Sequence, residues 1–285
     1  MSTDTTIATT PIQRLTRDIA SASVTLSEAE VRFLVDTYYQ QQEQRIRSDG
    51  QIRSIQQNPI ETVDDKTGEV AKAIEPHSVL QWFATQTETL EGQIKRALGK
   101  YVESHPVGEW LVSVHGIGPV IAAGLLAHID INKAPTVGHI WRFAGLDPTV
   151  TWAPKTKRPW NASLKVICWK AGESFVKFHN HEKCVYGHIW AKQKAVYIER
   201  NERGDYAEKA AATLLAKKYR KETEAYKAYS VGKYPPGRIH AMARRYAVKI
   251  FLAHLHGEMC RRILNIEPPM PYAIAHLGHA HLIKP

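Results

Sequence analysis

Residues 114–129 read Val-His-Gly-Ile-Gly-Pro-Val-Ile-Ala-Ala-Gly-Leu-Leu-Ala-His-Ile, and this stretch decides the fold. Gly116 and Gly118 free the backbone for a tight turn where side chains would clash. Pro119 stands where a first helical residue belongs, because its missing N–H costs nothing there. Ala122, Ala123 and Gly124 let the following helix pack closely. The spacing predicts a helix-hairpin-helix. Amides at such a turn point outward from a helix N-terminus and suit a phosphate, with no reading of base sequence. The same residues also describe a glycine turn between two core helices, and the stretch alone does not choose.

Working outward, the chain has 285 residues, room for one large domain or two modest ones. No apolar run reaches membrane-spanning length, and Met1–Gln13 is polar without a signal-peptide pattern. Cys168, Cys184 and Cys260 are odd in number and far apart, which excludes a disulfide framework and fits a reducing compartment. A cytoplasmic protein with no membrane partner is expected.

Charge is the strongest global signal. The net charge is +10, and residues 152–262 hold 24 Lys+Arg against 9 Asp+Glu, a net of +15. The remainder carries 14 against 19, a net of −5. A basic half joined to a mildly acidic one points to a polyanionic partner for the former. Aromatic residues and prolines interleave with the cations, which favours nucleic acid over a merely solvated surface.

The fold class expected is all-α, because no convincing strand pattern appears. Residues 1–25 are Ser/Thr-rich and read as a flexible tail. Residues 26–104 read as an antiparallel helical arm. Thr25 or Ser27 opens its first helix, with Glu28 and Glu30 three residues on as capping-box partners, and Asn58-Pro59 stops it. Residues 59–76 are a polar loop or small hairpin, and Ser78 opens the second helix. Residues 105–265 form the second domain: the glycine turn, helices over 136–143, 161–176, 183–202, 205–229 and 238–264, and a tail over 266–285. Such arms commonly dimerise, so a homodimer through residues 26–104 is expected.

Twelve residues are candidate RNA contacts. Gly116 and Gly118 present the turn. The loop 149–160 carries Trp152 for base stacking and Lys155, Lys157 and Arg158 for phosphates, while Trp160 is better read as an anchor. Lys165 follows on the next helix. On the last helix Arg238, Arg245 and Lys249 align on one edge, which His256 continues outside the twelve, and His240 and Arg244 lie on another strip. His179, His181, Cys184 and His188 have zinc's ligand types but match no standard finger, and His276, His279 and His281 form a second weak cluster. No metal, cofactor or catalytic residue is expected. No P-loop or dinucleotide glycine pattern is present.

The run Trp110–Pro148, with Gly-Ile-Gly-Pro, Leu-Leu-Ala-His-Ile and Phe-Ala-Gly-Leu-Asp-Pro, resembles the C-terminal domain of bridge-RNA-using insertion-sequence transposases. The segment Tyr234–Lys249 resembles the helix closing the Nop domain of box C/D RNA–protein complexes. Both resemblances meet in the Tas proteins of TIGR-Tas RNA-guided systems of phages and bacteria, over residues from about 26 to 264. The resemblance implies a Nop-like domain that binds a short guide RNA and pairs it with target DNA. Some members add a RuvC or HNH nuclease domain; this chain has too few residues on either side and resembles the nuclease-free form. The transposases need a serine shortly after the Ala-Gly-Leu-x-Pro motif. Here Thr149 and Thr151 occupy that region and Ser163 is the nearest serine, which argues against recombinase chemistry. The function expected is non-catalytic RNA-guided DNA binding, with guide RNA and target DNA as partners. A recombinase and a Nop-like RNA scaffold stand as alternatives.

Overall fold

The structure, a computed structural model, describes residues 13–58, 60–63, 70–73 and 76–269. The described residues are all-α apart from one short two-stranded antiparallel ribbon. The chain divides into two compact units, Met1–Ser104 and His105–Pro285. The tail histidines His276, His279 and His281 lie outside the described residues.

The first unit runs α1 (Arg17–Ala22), a 3-10 turn (Ser23–Thr25), α2 (Glu28–Gln57), β1 (Ile60–Val63), β2 (Val70–Ala73) and α3 (Ser78–Ser104). Ser27 starts α2 with a complete capping box: its hydroxyl accepts from the Glu30 amide, and the Glu30 carboxylate accepts from the Ser27 amide. The ribbon pairs Ile60 with Ala73 and Val63 with Val70, where the sequence suggested a loop or small hairpin. Residues 17–25 correct the expectation of a flexible tail. Local hydroxyls are spent on caps and back-bonds: Thr16 caps α1 at Ile19, Ser23 Oγ donates to the Ile19 carbonyl, and Thr25 Oγ1 donates to that of Ala22. Ala20 is buried, and the Leu15 amide donates to Gln93 of α3 at 3.1 Å.

The two long helices of this unit run antiparallel, since Arg45 meets Glu91 while Tyr101 lies near Glu28. Val31, Val35, Ile94, Leu98 and Val102 form the dry seam between them. Outward of Tyr38 the seam turns polar. Glu91, 8 % exposed, accepts from Arg45 Nε at 2.6 Å and from Gln42 Nε2 at 3.2 Å. Burial pushes its carboxyl up, but the bonds from Arg45, Gln42 and Tyr38 together outweigh this and hold it below the usual carboxylate range. Its contribution to stability is therefore complete above the ordinary Glu pKa of about 4.3 and is lost as pH falls through the depressed value. Acid titration of the arm, followed by circular dichroism, is expected to show this loss. Glu91→Gln should weaken the arm at neutral pH and flatten the acid limb.

The second unit runs α4 (Gly108–Ser113), α5 (Pro119–His128), a 3-10 turn (Ile131–Lys133), α6 (Val137–Phe143), α7 (Ala162–Lys177), α8 (Val185–Glu202), α9 (Ala207–Ala216), α10 (Glu224–Ser230), α11 (Pro236–Met259) and a π-turn (Cys260–Leu264). The central element is α11, which packs against α6, α7 and α8. Its basic-edge reading fails at His256, which is 2 % exposed with Nε2 bonded to the Ala134 carbonyl at 2.8 Å. From Ala247 onward α11 is enclosed on most sides, so a single amphipathic wheel no longer describes it.

The helix expected over 205–229 is two helices. Lys217, Lys218, Arg220 and Lys221 crowd like charges at helical spacing, which disfavours continuation. Lys217 is extended, and Thr223 caps α10 by accepting from the Tyr226 amide. The break lets Tyr219 pack on Tyr229, at 5.4 Å between ring centroids.

Candidate nucleic-acid interface

The glycine turn joins α4 to α5 as the sequence predicts. Gly116 sits at φ +98°, a region that side chains rarely adopt. A Cβ there would lie 3.2 Å from Ser174 Oγ, whose hydroxyl donates to the Gly116 carbonyl at 2.6 Å. The turn is thereby pinned to α7. Gly118 differs: its φ is −93°, it caps α5 without a side-chain bond, and a Cβ would meet nothing within 4 Å. The expectation that both glycines avoid clashes holds for Gly116 only. Gly116→Ala is expected to cost about 1–2 kcal/mol. Gly118→Ser, which adds an N-cap oxygen, should be neutral or slightly stabilising in thermal melts. Ala122, Ala123 and Gly124 are buried, and a Cβ at Gly124 would lie 2.7 Å from Ile167 Cδ1 of α7.

After α6 the chain turns at Gly145, φ +65°, where a Cβ would collide with Trp160 at 2.8 Å and crowd Lys165 at 3.1 Å. Trp160 therefore packs closely on this turn as the anchor of the loop. Asn161 fixes its far end twice: its amide donates to the Phe143 carbonyl, and its side chain caps α7 at Leu164. Within the loop, Trp152 Nε1 donates to the Thr156 carbonyl at 2.9 Å, and its ring meets Trp160 edge-on at 6.2 Å. Lys155 takes a left-handed backbone at φ +70°. Lys155, Lys157 and Arg158 are exposed.

Three cations converge beside this loop. Lys165 Nζ lies 4.3 Å from the Trp160 ring centroid, and Arg158 lies 5.6 Å from that of Trp152. Burial pushes the Lys165 ammonium pKa down, and the charges of Arg245 and Arg158 push it further. Arg244 feels burial first and then Arg245. Among the described residues, Arg158, Lys165 and Arg245 form no ion pair, whereas the neighbouring Arg244 is bound to Glu173. Like charges held together without counter-charge are an anion site in electrostatic terms.

Other expected contacts lie elsewhere or are spent internally. Gly116 packs at Ser174, nine residues and about 13 Å along α7 from Lys165. Arg238 donates to the hydroxyls of Thr213, Tyr229 and Tyr234, and stacks 3.8 Å from the Tyr234 ring centroid. It builds the tyrosine cluster of α9, α10 and α11 rather than a free basic edge. His240 packs edge-on against Trp190 at 5.4 Å. Lys249 is half-buried, 4.1 Å from the Trp141 ring centroid, with Trp141 Nε1 donating to its carbonyl.

The zinc-like cluster is dispersed. His179 bonds the Val176 carbonyl, His181 stacks on His115 at 3.9 Å, and the Cys184 thiol is buried toward the carbonyls of His115 and Phe175. Among the described residues no group of three or more His, Cys, Asp or Glu is placed to hold a metal.

The residue that sequence reading missed is Trp169. It is 50 % exposed on α7, four residues after Lys165 and hence on the same helix face. Arg244 lies 5.3 Å from its ring centroid. The available signal was its place off the core face formed by Leu164, Ile167, Cys168, Ala171 and Phe175.

Residues 108–165 match the model of the IS116/IS110/IS902 transposase family. The chain thus carries a transposase-related segment. It spans the glycine hairpin, α6, the tryptophan loop and the first turn of α7, ending at Lys165. No curated protein and no solved structure matches the chain. No helix among the described residues is long and apolar enough to cross a membrane.

Proposed function

We propose that this chain is a non-catalytic, RNA-guided DNA-binding protein of the TIGR-Tas kind. Residues 105–265 hold a short guide RNA and present it for pairing with target DNA. The observation that carries the reading is the set Arg158, Lys165 and Arg245, unneutralised among the described residues and flanked by tryptophans. The logic is delegation: protein cations grip backbone and shape, while the RNA reads sequence by base pairing. The transposase-related segment contributes two of the three cations. The arm joins two copies, its α3 leaving Val79, Trp82 and Phe83 exposed at i, i+3, i+4 spacing; light scattering at several concentrations checks this.

The deciding experiment purifies the protein after expression beside its native locus and treats separate aliquots with RNase and DNase. A discrete short RNA protected by the protein is expected. Its absence would sink the proposal.

A second reading, a threonine-dependent strand-transfer enzyme, is favoured by one contact. The Thr149 hydroxyl donates to Asp147 Oδ1 at 2.7 Å. The Thr149 amide, which also donates to Asp147 Oδ1, and then this hydroxyl hold the Asp147 carboxyl below its ordinary range, with Lys249 and Arg142 nearby, which makes it a weak proton acceptor. Strand cleavage that disappears in Thr149→Ala would establish this reading.

A further inference from the structure

The cation cluster lies among exposed indole rings, and that pairing says more than charge alone. Trp152 is 39 % exposed and Trp169 is 50 % exposed. Two ring contacts and one shared helix face connect them. Trp152 meets Trp160, Trp160 lies under Lys165, and Lys165 shares a face of α7 with Trp169, about 6 Å further along the axis. Arg245 and Arg158 add their charge at Lys165. A nearby carboxylate, Glu173, is occupied by Arg244.

Both rings are held from behind. Trp152 is tethered through Nε1 to its own loop and braced by Trp160. Trp169 rests against Arg244. That guanidinium is fixed by Glu173, and its stem lies close on Gly172, where a Cβ would sit 2.6 Å from Arg244 Cγ. A pre-positioned ring loses little freedom when a planar partner stacks on it.

We propose that Trp152 and Trp169 are stacking platforms for unpaired bases of an RNA strand whose phosphates lie on Arg158, Lys165 and Arg245. The inference rests on the RNA-binding function proposed above and narrows it to the unpaired part of the RNA. An indole ring needs a base with a free face. Bases inside a helix are covered on both sides by their neighbours, so a duplex offers phosphates to the cations but nothing to the rings. Uncompensated cations that alternate with indoles along one face match a single strand better than a helical segment.

The test uses the full chain and fluorescence anisotropy with three labelled probes of equal length: an oligo-uridine RNA, an oligo-thymidine DNA and an RNA duplex. Tightest binding to the RNA single strand is expected. Trp152→Ala and Trp169→Ala should each weaken it about fivefold or more, with near-normal binding kept by Trp169→Phe and little change for the duplex. Circular dichroism melts accompany each variant, and both side chains are exposed enough for the fold to survive. Equal or tighter duplex binding, unchanged affinity in both Ala variants, or preference for the DNA strand would each overturn the inference while leaving an RNA-binding function standing. No binding of any probe, together with no co-purified RNA, would overturn both.

Discussion

Arg158→Ala, Lys165→Ala and Arg245→Ala combined are expected to lower affinity for a single-stranded RNA roughly 50-fold near physiological salt. Each phosphate contact on a single strand contributes about 0.7 to the slope of log affinity against log salt. Three contacts therefore remove about 2 from that slope, and the effect shrinks as salt rises. The variant should fold normally, because none of the three pairs with a carboxylate among the described residues. Anisotropy titrations between about 50 and 200 mM salt provide the measurement. Arg238→Ala is the informative contrast. It should leave the slope unchanged but lower the melting temperature, since Arg238 bridges three hydroxyls and the Tyr234 ring. A slope unchanged in the triple variant would remove this patch from the interface.

That contrast marks where sequence reading stops. Local signals were legible because they act over three or four residues. Ser27 with Glu30 and Asn161 with Leu164 satisfy backbone amides at a helix start, Pro119 after Gly118 removes one such donor, and each sits at the boundary it announces. The all-α architecture followed from those boundaries and from apolar spacing. The break between α9 and α10 was hidden because Tyr219 gains its packing from Tyr229, a tertiary effect.

Within the site, composition pointed to the tryptophan loop and to Lys165, which do converge. A helical wheel ranks residues by angle and carries no information about neighbours. It placed Arg238 and Arg245 on one edge, yet tyrosines from α10 and the stretch after it take the first and leave the second exposed. His256 was lost to the Ala134 carbonyl, 122 residues away in the chain. Trp169 went unread because an aromatic residue on a helix is usually core. Only the crossing of α7 and α11 shows which face is covered.

Phe251→Ala is expected to be the most damaging single truncation in the 105–269 region, at about 3–5 kcal/mol. Phe251 is fully buried on α11, and three rings from three other helices converge on it. Trp110 of α4 stacks at 6.1 Å, while Phe175 of α7 and Tyr186 of α8 meet it edge-on at 5.4 and 5.2 Å. Truncation opens a cavity where these helices meet, and rings braced against one another cannot collapse to fill it. Tyr186 is further restrained by its hydroxyl bond to His254 at 2.8 Å, which would be strained by any inward shift. Because α7 carries both the Ser174 contact that pins the glycine turn and Lys165, looser packing at Phe251 should reach the interface as well as the melting point. Urea melts followed by circular dichroism and RNA titrations on the same samples measure the two effects. A Phe251→Leu variant should recover most of the stability. Near-wild-type melting of Phe251→Ala would mean that this four-ring junction does not hold the helices around α11 together.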